Sequence, residues 1–320
     1  MPGTEIETRG GTRDGTRDAP SGVAGLYGKL PARGDFLSRR LDAEFIAGWD
    51  EWLQRAMRDS REALGERWLE CFLSAPVWRF VLPAGMYSKP GWVGLVVPSV
   101  DRVGRYFPLT LAAPLHHESI DLPASLARAL PWLDSLEALA LEALTPELDF
   151  DAFDQRLAAL ALPAGLPAAA GPSDDTVPLG AAQSTFQAWQ FAPDVGDDTI
   201  TRILMEPSRA LRAASALWLT RGGETLPPCL AACAGPISGE RFCALLEGRW
   251  AEHAWTLASA TSLIPNSQSA ATESVMYCSP QNPGVDLIHG QGRGQEEAGP
   301  LIAPPGSANG AGTLNTGREK

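Results

Sequence analysis

Val77-Trp78-Arg79-Phe80-Val81-Leu82 is the stretch on which the fold turns. It is rich in β-branched and aromatic residues and follows Pro76, a combination that reads as a buried strand. Residues 92–97 and 106–112 carry the same signature, again bounded by Pro and Gly. Working outward toward the N-terminus, Phe45, Ile46, Trp49, Trp52, Leu53, Ala56 and Met57 are spaced for one face of a helix over residues 43–58. Leu64, Trp68, Leu69, Phe72 and Leu73 continue that spacing until Pro76 ends it. Toward the C-terminus, Leu126, Leu130, Leu133, Leu136, Leu139 and Leu144 predict a long helix after Asp121, with a shorter one over 148–162. A helix around 181–191, strands at 215–220 and 230–234, and a helix over 239–250 complete the pattern. Ser238 is placed to cap the last helix, with Glu240 in its first turn, where the dipole favours a carboxylate. Helices and strands interleave, so the expected class is α/β, a mixed sheet covered by helices.

The chain has 320 residues, 44% hydrophobic and 20% charged, which is ordinary globular usage and excludes collagen and coiled coil. Its net charge of -12 makes nucleic acid and anionic membrane surfaces poor partners. That charge is uneven. Residues 1–100 hold 13 basic and 13 acidic side chains, whereas residues 101–200 hold 4 and 15. Residues 1–21 repeat short Thr-Arg-Asp-Gly units with little to bury, and the chain after about 262 is dominated by Ser, Asn, Gln, Gly and Pro. The expected organisation is a disordered tail over 1–21, a folded domain over 22–255 and a largely disordered tail over 256–320. Trp250 or Trp255 is the expected last core residue, and the Pro- and Gly-rich residues 163–178 are the expected hinge. The N-terminus offers no apolar signal core, and no apolar run approaches the ~20 residues of a membrane span. The reading is a cytoplasmic protein without direct membrane insertion.

Catalytic templates mostly fail. Gly25-x-x-Gly28-Lys29 lacks the length of a phosphate-binding loop, and Leu30-Pro31 stands where Ser or Thr would bind magnesium. Five scattered cysteines (Cys71, Cys229, Cys233, Cys243 and Cys278) have no zinc-like second pair and read as reduced thiols. No metal and no cofactor is expected. His116-His117 follows an apolar strand, and a small hydrolase or phosphotransferase using one of them with a nearby Asp is the rival enzymatic reading. The adjacent pairs Asp174-Asp175 and Asp197-Asp198 read as solvated turns. Trp49, Trp52, Trp78, Trp92 and Trp218 read as core.

Two polar segments resist a purely solvated reading. Gly28-Lys29-Leu30-Pro31-Ala32-Arg33-Gly34-Asp35-Phe36 and Pro98-Ser99-Val100-Asp101-Arg102-Val103-Gly104-Arg105-Tyr106-Phe107-Pro108 both set Arg and Asp among Gly and Pro beside a strand. Asp35 and Asp101 are candidates to hold Arg33, Arg102 or Arg105 in paired forks. Lys29, Arg33, Asp35, Asp101, Arg102 and Arg105 are therefore the candidate protein-binding residues. Two roles are open to them: a recognition face for a protein or phosphorylated group, or a salt-bridge lattice joining the loops.

These same segments carry a resemblance. Gly25 to Phe36, the Phe45…Trp49-Asp50-x-Trp52-Leu53 helix and Ala75-Pro76-Val77-Trp78-Arg79-Phe80 resemble the TagF (ImpM) family of type VI secretion-associated proteins. So do Pro98 through Thr110 and Ser215-Ala216-Leu217-Trp218-Leu219-Thr220, with one departure: Leu219 stands where the family pattern has a second Trp. The resemblance runs from about Gly25 to Trp250 and implies a three-layer α/β/α sandwich. It also implies a non-catalytic cytoplasmic protein that represses type VI secretion after translation, acting with the system's forkhead-associated scaffold protein. A structural accessory subunit of the secretion apparatus is the alternative.

Overall fold

The computed structural model describes residues 22–115, 120–163 and 186–263, all within one unit spanning Met1–Ser274. Within the stretch 77–82, Trp78–Leu82 form strand β3, and its register fixes its neighbours. It pairs antiparallel with β4 (Gly91–Val97) on one side and β7 (Ala216–Thr220) on the other. β5 (Leu109–Leu115) continues from β4, followed by β1 (Gly25–Gly28) and β2 (Leu37–Arg39). Beyond β7 come β8 (Cys229–Cys233), β6 (Gln187–Gln190) and β9 (Thr256–Ser259). Eight neighbours in a row thus make seven antiparallel pairings, and only β6 with β9 is parallel, so the described sheet is mixed.

The period-2 alternation of a strand sends successive side chains to opposite faces. Val81, Val93, Leu95, Leu111, Leu217 and Leu219 go to one side. There they meet α3 (Leu122–Ala143), α4 (Phe150–Ala159), α5 (Asp197–Met205) and α6 (Arg209–Arg212). Trp78, Phe80, Leu82, Trp92 and Trp218 go to the other, against α1 (Ala43–Leu64), α2 (Trp68–Ser74) and α7 (Gly239–Glu247). Both faces are covered, which is why the strands read as continuous apolar runs. The architecture is the three-layer α/β/α sandwich. The five tryptophans Trp49, Trp52, Trp78, Trp92 and Trp218 are all buried in the layer under α1.

Several elements differ from the sequence reading, each for a local reason. The apolar spacing runs on through α1 to Leu64, where Gly65 at φ 55 ends the helix before a 3-10 turn and α2. β5 begins at Leu109 because Tyr106 and Phe107 close the preceding loop instead, through the Val100–Tyr106 bridge and the Phe107 N–H donated to Ser99. Of the helix expected over 181–191, the described part is strand β6, whose buried Trp189 and Ala188 pair between β8 and β9. Asp197-Asp198 opens helix α5 rather than a solvated turn. Ser238 occupies the N-cap position of α7, but its hydroxyl accepts from the Arg241 guanidinium and caps no backbone N–H. Ordered structure also continues past residue 255: β9 pairs with β6, and Leu263 is buried against the α3 layer. Residues 1–21, 264–320 and most of the expected hinge lie outside the described residues.

Candidate functional site

The antiparallel registers bring both polar segments to one end of the sheet. Val97 pairs with Leu109, Val96 with Trp78 and Tyr27 with Thr110. The C-terminal ends of β1 and β4 therefore share that end with the starts of β3 and β5. The 29–36 loop leaves β1 and the 98–108 loop joins β4 to β5, so the two emerge side by side. Gly28 makes the closeness possible: a side chain there would collide with the Pro108 carbonyl oxygen, and its φ of 136 suits glycine.

Asp101 organises the junction. Its side chain is fully buried, yet every oxygen is engaged. Oδ1 accepts the N–H groups of Val103 at 3.0 Å and Arg105 at 2.9 Å, and Oδ2 accepts Lys29 Nζ and Arg105 Nε, each at 2.7 Å. Burial alone would push this carboxyl up. The Lys29 ammonium, the Arg105 N–H and guanidinium and the Val103 N–H outweigh it and hold the group well below the ordinary carboxylate range. Gly104, at φ 86, supplies the left-handed turn that lets the loop fold back onto its own aspartate.

Further bonds tie loop to loop. The Ser99 hydroxyl donates to the Lys29 carbonyl at 2.7 Å, the Arg102 N–H donates to the Arg33 carbonyl at 2.9 Å, and Arg105 Nη2 donates to the Gly34 carbonyl. Phe36 stacks on Tyr27, meets Phe107 edge-on and lies under the Lys29 ammonium at 4.9 Å. Tyr27 in turn donates to Asp50 on α1, so the tip is anchored to the helical layer as well. Burial and the Asp50 carboxylate raise the Tyr27 hydroxyl well above its usual range.

The six residues singled out from the sequence thus come together but divide into two sets. Lys29 and Asp101 are buried and act as the joint, with Arg105 straddling it. Arg33, Asp35 and Arg102 point outward. Asp35 holds no fork: it is fully exposed and only approaches Arg105, at 3.8 Å. Two neighbours that charge alone did not single out complete the surface, Val103 at 66% exposure and Phe36 at 47%. Their signal was an apolar residue between Arg102 and Gly104 and another after Gly34-Asp35, positions where a solvated turn has no use for one.

A second charged network also escaped the sequence reading. Arg79, buried in β3, reaches Asp134 at 2.8 Å and Glu137 at 2.7 Å on α3. Asp134 also takes Arg221, which binds Asp197 at 2.6 Å. A charged residue inside an apolar strand run needs such partners. On the other layer, Glu247 collects His253 at 2.7 Å and Arg67 at 2.6 Å. Burial works against the Glu247 carboxylate, but His253, Arg67 and Arg249 hold its pKa below the ordinary value. Nearby, burial and the Glu247 charge raise the Cys71 thiol, and burial raises Cys229 and Cys233 and pushes Cys243 up to about 11. These thiols are protonated at neutral pH and poor nucleophiles. Among the described residues no group of three or more His, Cys, Asp or Glu side chains is arranged to hold a metal ion. No described helix is long and apolar enough to cross a membrane. His116 and His117 lie outside the described residues, as do Asp174, Asp175 and Cys278.

Fold and tip together define an α/β/α sandwich that presents two cross-braced loops at one end of its sheet. Residues 25–160 match the N-terminal domain of TagF, described as type VI secretion system-associated. The crystal structure of PA0076 from Pseudomonas aeruginosa PAO1 is similar at 32% sequence identity and a TM-score of 0.55, covering 71% of this chain and 94% of that one. No curated protein matches. The chain belongs to the TagF family of type VI secretion-associated proteins.

Proposed function

We propose that this protein is a non-catalytic, cytoplasmic, post-translational repressor of type VI secretion that binds the system's forkhead-associated scaffold component. Family membership supports the link to secretion, and the resemblance in the sequence supplies the partner. The observation that carries the reading is the tip itself. Two loops far apart in sequence are locked by the buried Lys29–Asp101 pair into one surface, and what that surface offers outward is Arg33, Arg102, Arg105, Phe36 and Val103. Arginine and aromatic side chains on a rigid support are the composition that dominates protein–protein binding energy. Occupying the scaffold with this surface blocks assembly of the secretion machine.

The test is affinity capture of the scaffold from the native host by tagged protein, alongside export of the secreted tube protein by a strain lacking the gene. Capture by the wild type, loss of capture with Arg102→Glu and raised export from the deletion strain are expected. No capture together with reduced export overturns the reading and favours a structural subunit.

A further inference from the structure

The backbones of the two loops meet where the Arg102 N–H is donated to the Arg33 carbonyl at 2.9 Å. Both arginines are exposed. Among the described residues neither guanidinium has an ion pair: Arg33 lies over the Phe150 ring at 5.1 Å, and the Arg102 guanidinium lies near Gly34. Each loop thus carries a guanidinium without an ion pair among the described residues, on a chain whose net charge is -12. Of the six loop residues, Asp101 is engaged in the joint together with Lys29 and Arg105, which leaves Arg33 and Arg102 against the exposed Asp35.

What the loops have left to offer decides the chemistry of the ligand. A built phosphate site aims several backbone N–H groups at the anion. Here the N–H groups of Arg33, Arg102, Val103, Gly104 and Arg105 are all donated within the loops, to Leu30, Arg33, the Asp101 carboxylate, the Asp101 carbonyl and the Asp101 carboxylate again. From Arg102 to Arg105 the 98–108 loop therefore turns guanidinium forks and the Val103 side chain outward, not backbone N–H groups. Planar forks match planar carboxylates two bonds at a time. Val103 and Phe36, in the same two loops, add exposed apolar side chains.

Resting on the tip being the partner-binding surface, we infer that it takes an unphosphorylated acidic segment of the partner, with Asp or Glu carboxylates on Arg33 and Arg102 and an apolar residue against Val103. The probe is a short fluorescent peptide alternating Glu and Leu, compared with its Gln–Leu counterpart and with a peptide carrying one phosphothreonine among neutral residues, all titrated into the full chain. The Glu–Leu peptide should bind best, weaken as salt rises, and lose about tenfold in affinity with Arg33→Gln/Arg102→Gln, given how strongly close charge pairs couple. Both positions are exposed, so the double variant keeps its far-UV circular dichroism and thermal midpoint; Val103→Ser is the independent second variant and should weaken the peptide without altering the salt dependence. Equal binding of the Gln–Leu peptide, tighter binding of the phosphopeptide, or indifference to both variants overturns the inference. Scaffold capture separates the two levels. Capture by wild type that survives Arg33→Gln/Arg102→Gln removes the acidic-segment reading alone, whereas a peptide that behaves as expected beside a scaffold never captured upholds it and removes the proposed partner.

Discussion

Lys29 Nζ and Asp101 Oδ2 meet at 2.7 Å with their side chains 6% and 0% exposed, although 72 residues of chain separate them. A buried pair of this kind is a weak source of net stability, because desolvation offsets most of the attraction, but a strong device for register. Breaking it from one side leaves a charge buried without its counterion. Lys29→Met and Asp101→Leu should each lower the thermal midpoint, and the double variant should recover part of the loss. A double-mutant cycle by chemical denaturation measures this, and strictly additive losses would show that the pair is not coupled.

Asp101 also gives the tip a pH signature. Its carboxyl is held below the ordinary value of 3.8 in the folded chain, so below that pH the unfolded chain binds its proton first. The stability it contributes is complete above pH 3.8 and is lost as pH falls further toward the depressed folded value. Glu247 acts in the same direction, so the comparison must be with a variant. Acid unfolding of Asp101→Asn should be flatter with pH in that window than acid unfolding of the wild type.

How much of this was legible follows from what each element depends on. The sheet and its covering helices were readable because burial on both faces makes strand 91–97 an apolar run and strand 78–82 one broken only by Arg79, and because α1 repeats Phe45, Trp49, Trp52 and Ala56 on one side. β6 was misread because Gln187-Ala188-Trp189-Gln190 has no strand character of its own; its state is imposed by β8 and β9, distant in sequence. The six tip residues were found from local composition alone. Their division into joint and surface was not, since nothing local to Lys29 says that Asp101 lies over it while Arg33 is left facing water. The Arg79 network needed α3 in place before its partners could be named.

Arg79 is the charged residue whose loss the core should feel most. Arg79→Met strands Asp134 and Glu137, but both retain some exposure, 39% and 21%, and Asp134 keeps Arg221. The expected cost is therefore at the low end for a broken buried pair, about 3 kcal/mol. Arg79→Lys should recover little of it, because an ammonium cannot reach two carboxylates with a fork. Denaturant unfolding of the three proteins decides this; full recovery by lysine would mean that charge alone matters there.

The thiols supply a separate check on the packing. In a Cys278→Ser background at neutral pH, a thiol reagent should modify Cys71 slowly, since it is only half-buried and its thiol is raised by burial and Glu247. Cys229, Cys233 and Cys243 should react only on unfolding, being buried and protonated. Mass spectrometry after native and denaturing alkylation reads both. Rapid native labelling of Cys229 or Cys233 would mean that β8 opens far more readily than its position between β7 and β6 implies.

Val103 separates surface from support most cleanly. It is 66% exposed at the apex of its loop, and its only bond to the joint is its backbone N–H on Asp101, which any residue but proline retains. Val103→Ser should therefore stay within about 0.5 kcal/mol of wild-type stability, as surface substitutions usually do. If the tip is the surface that meets the partner, the same change should still weaken scaffold capture measurably, because a contact at the centre of a recognition patch is desolvated on binding. Chemical denaturation and quantitative capture on one preparation test both halves. Unaltered capture at unaltered stability would move the binding surface elsewhere on the sandwich, and lost stability would make Val103 part of the joint rather than part of the face.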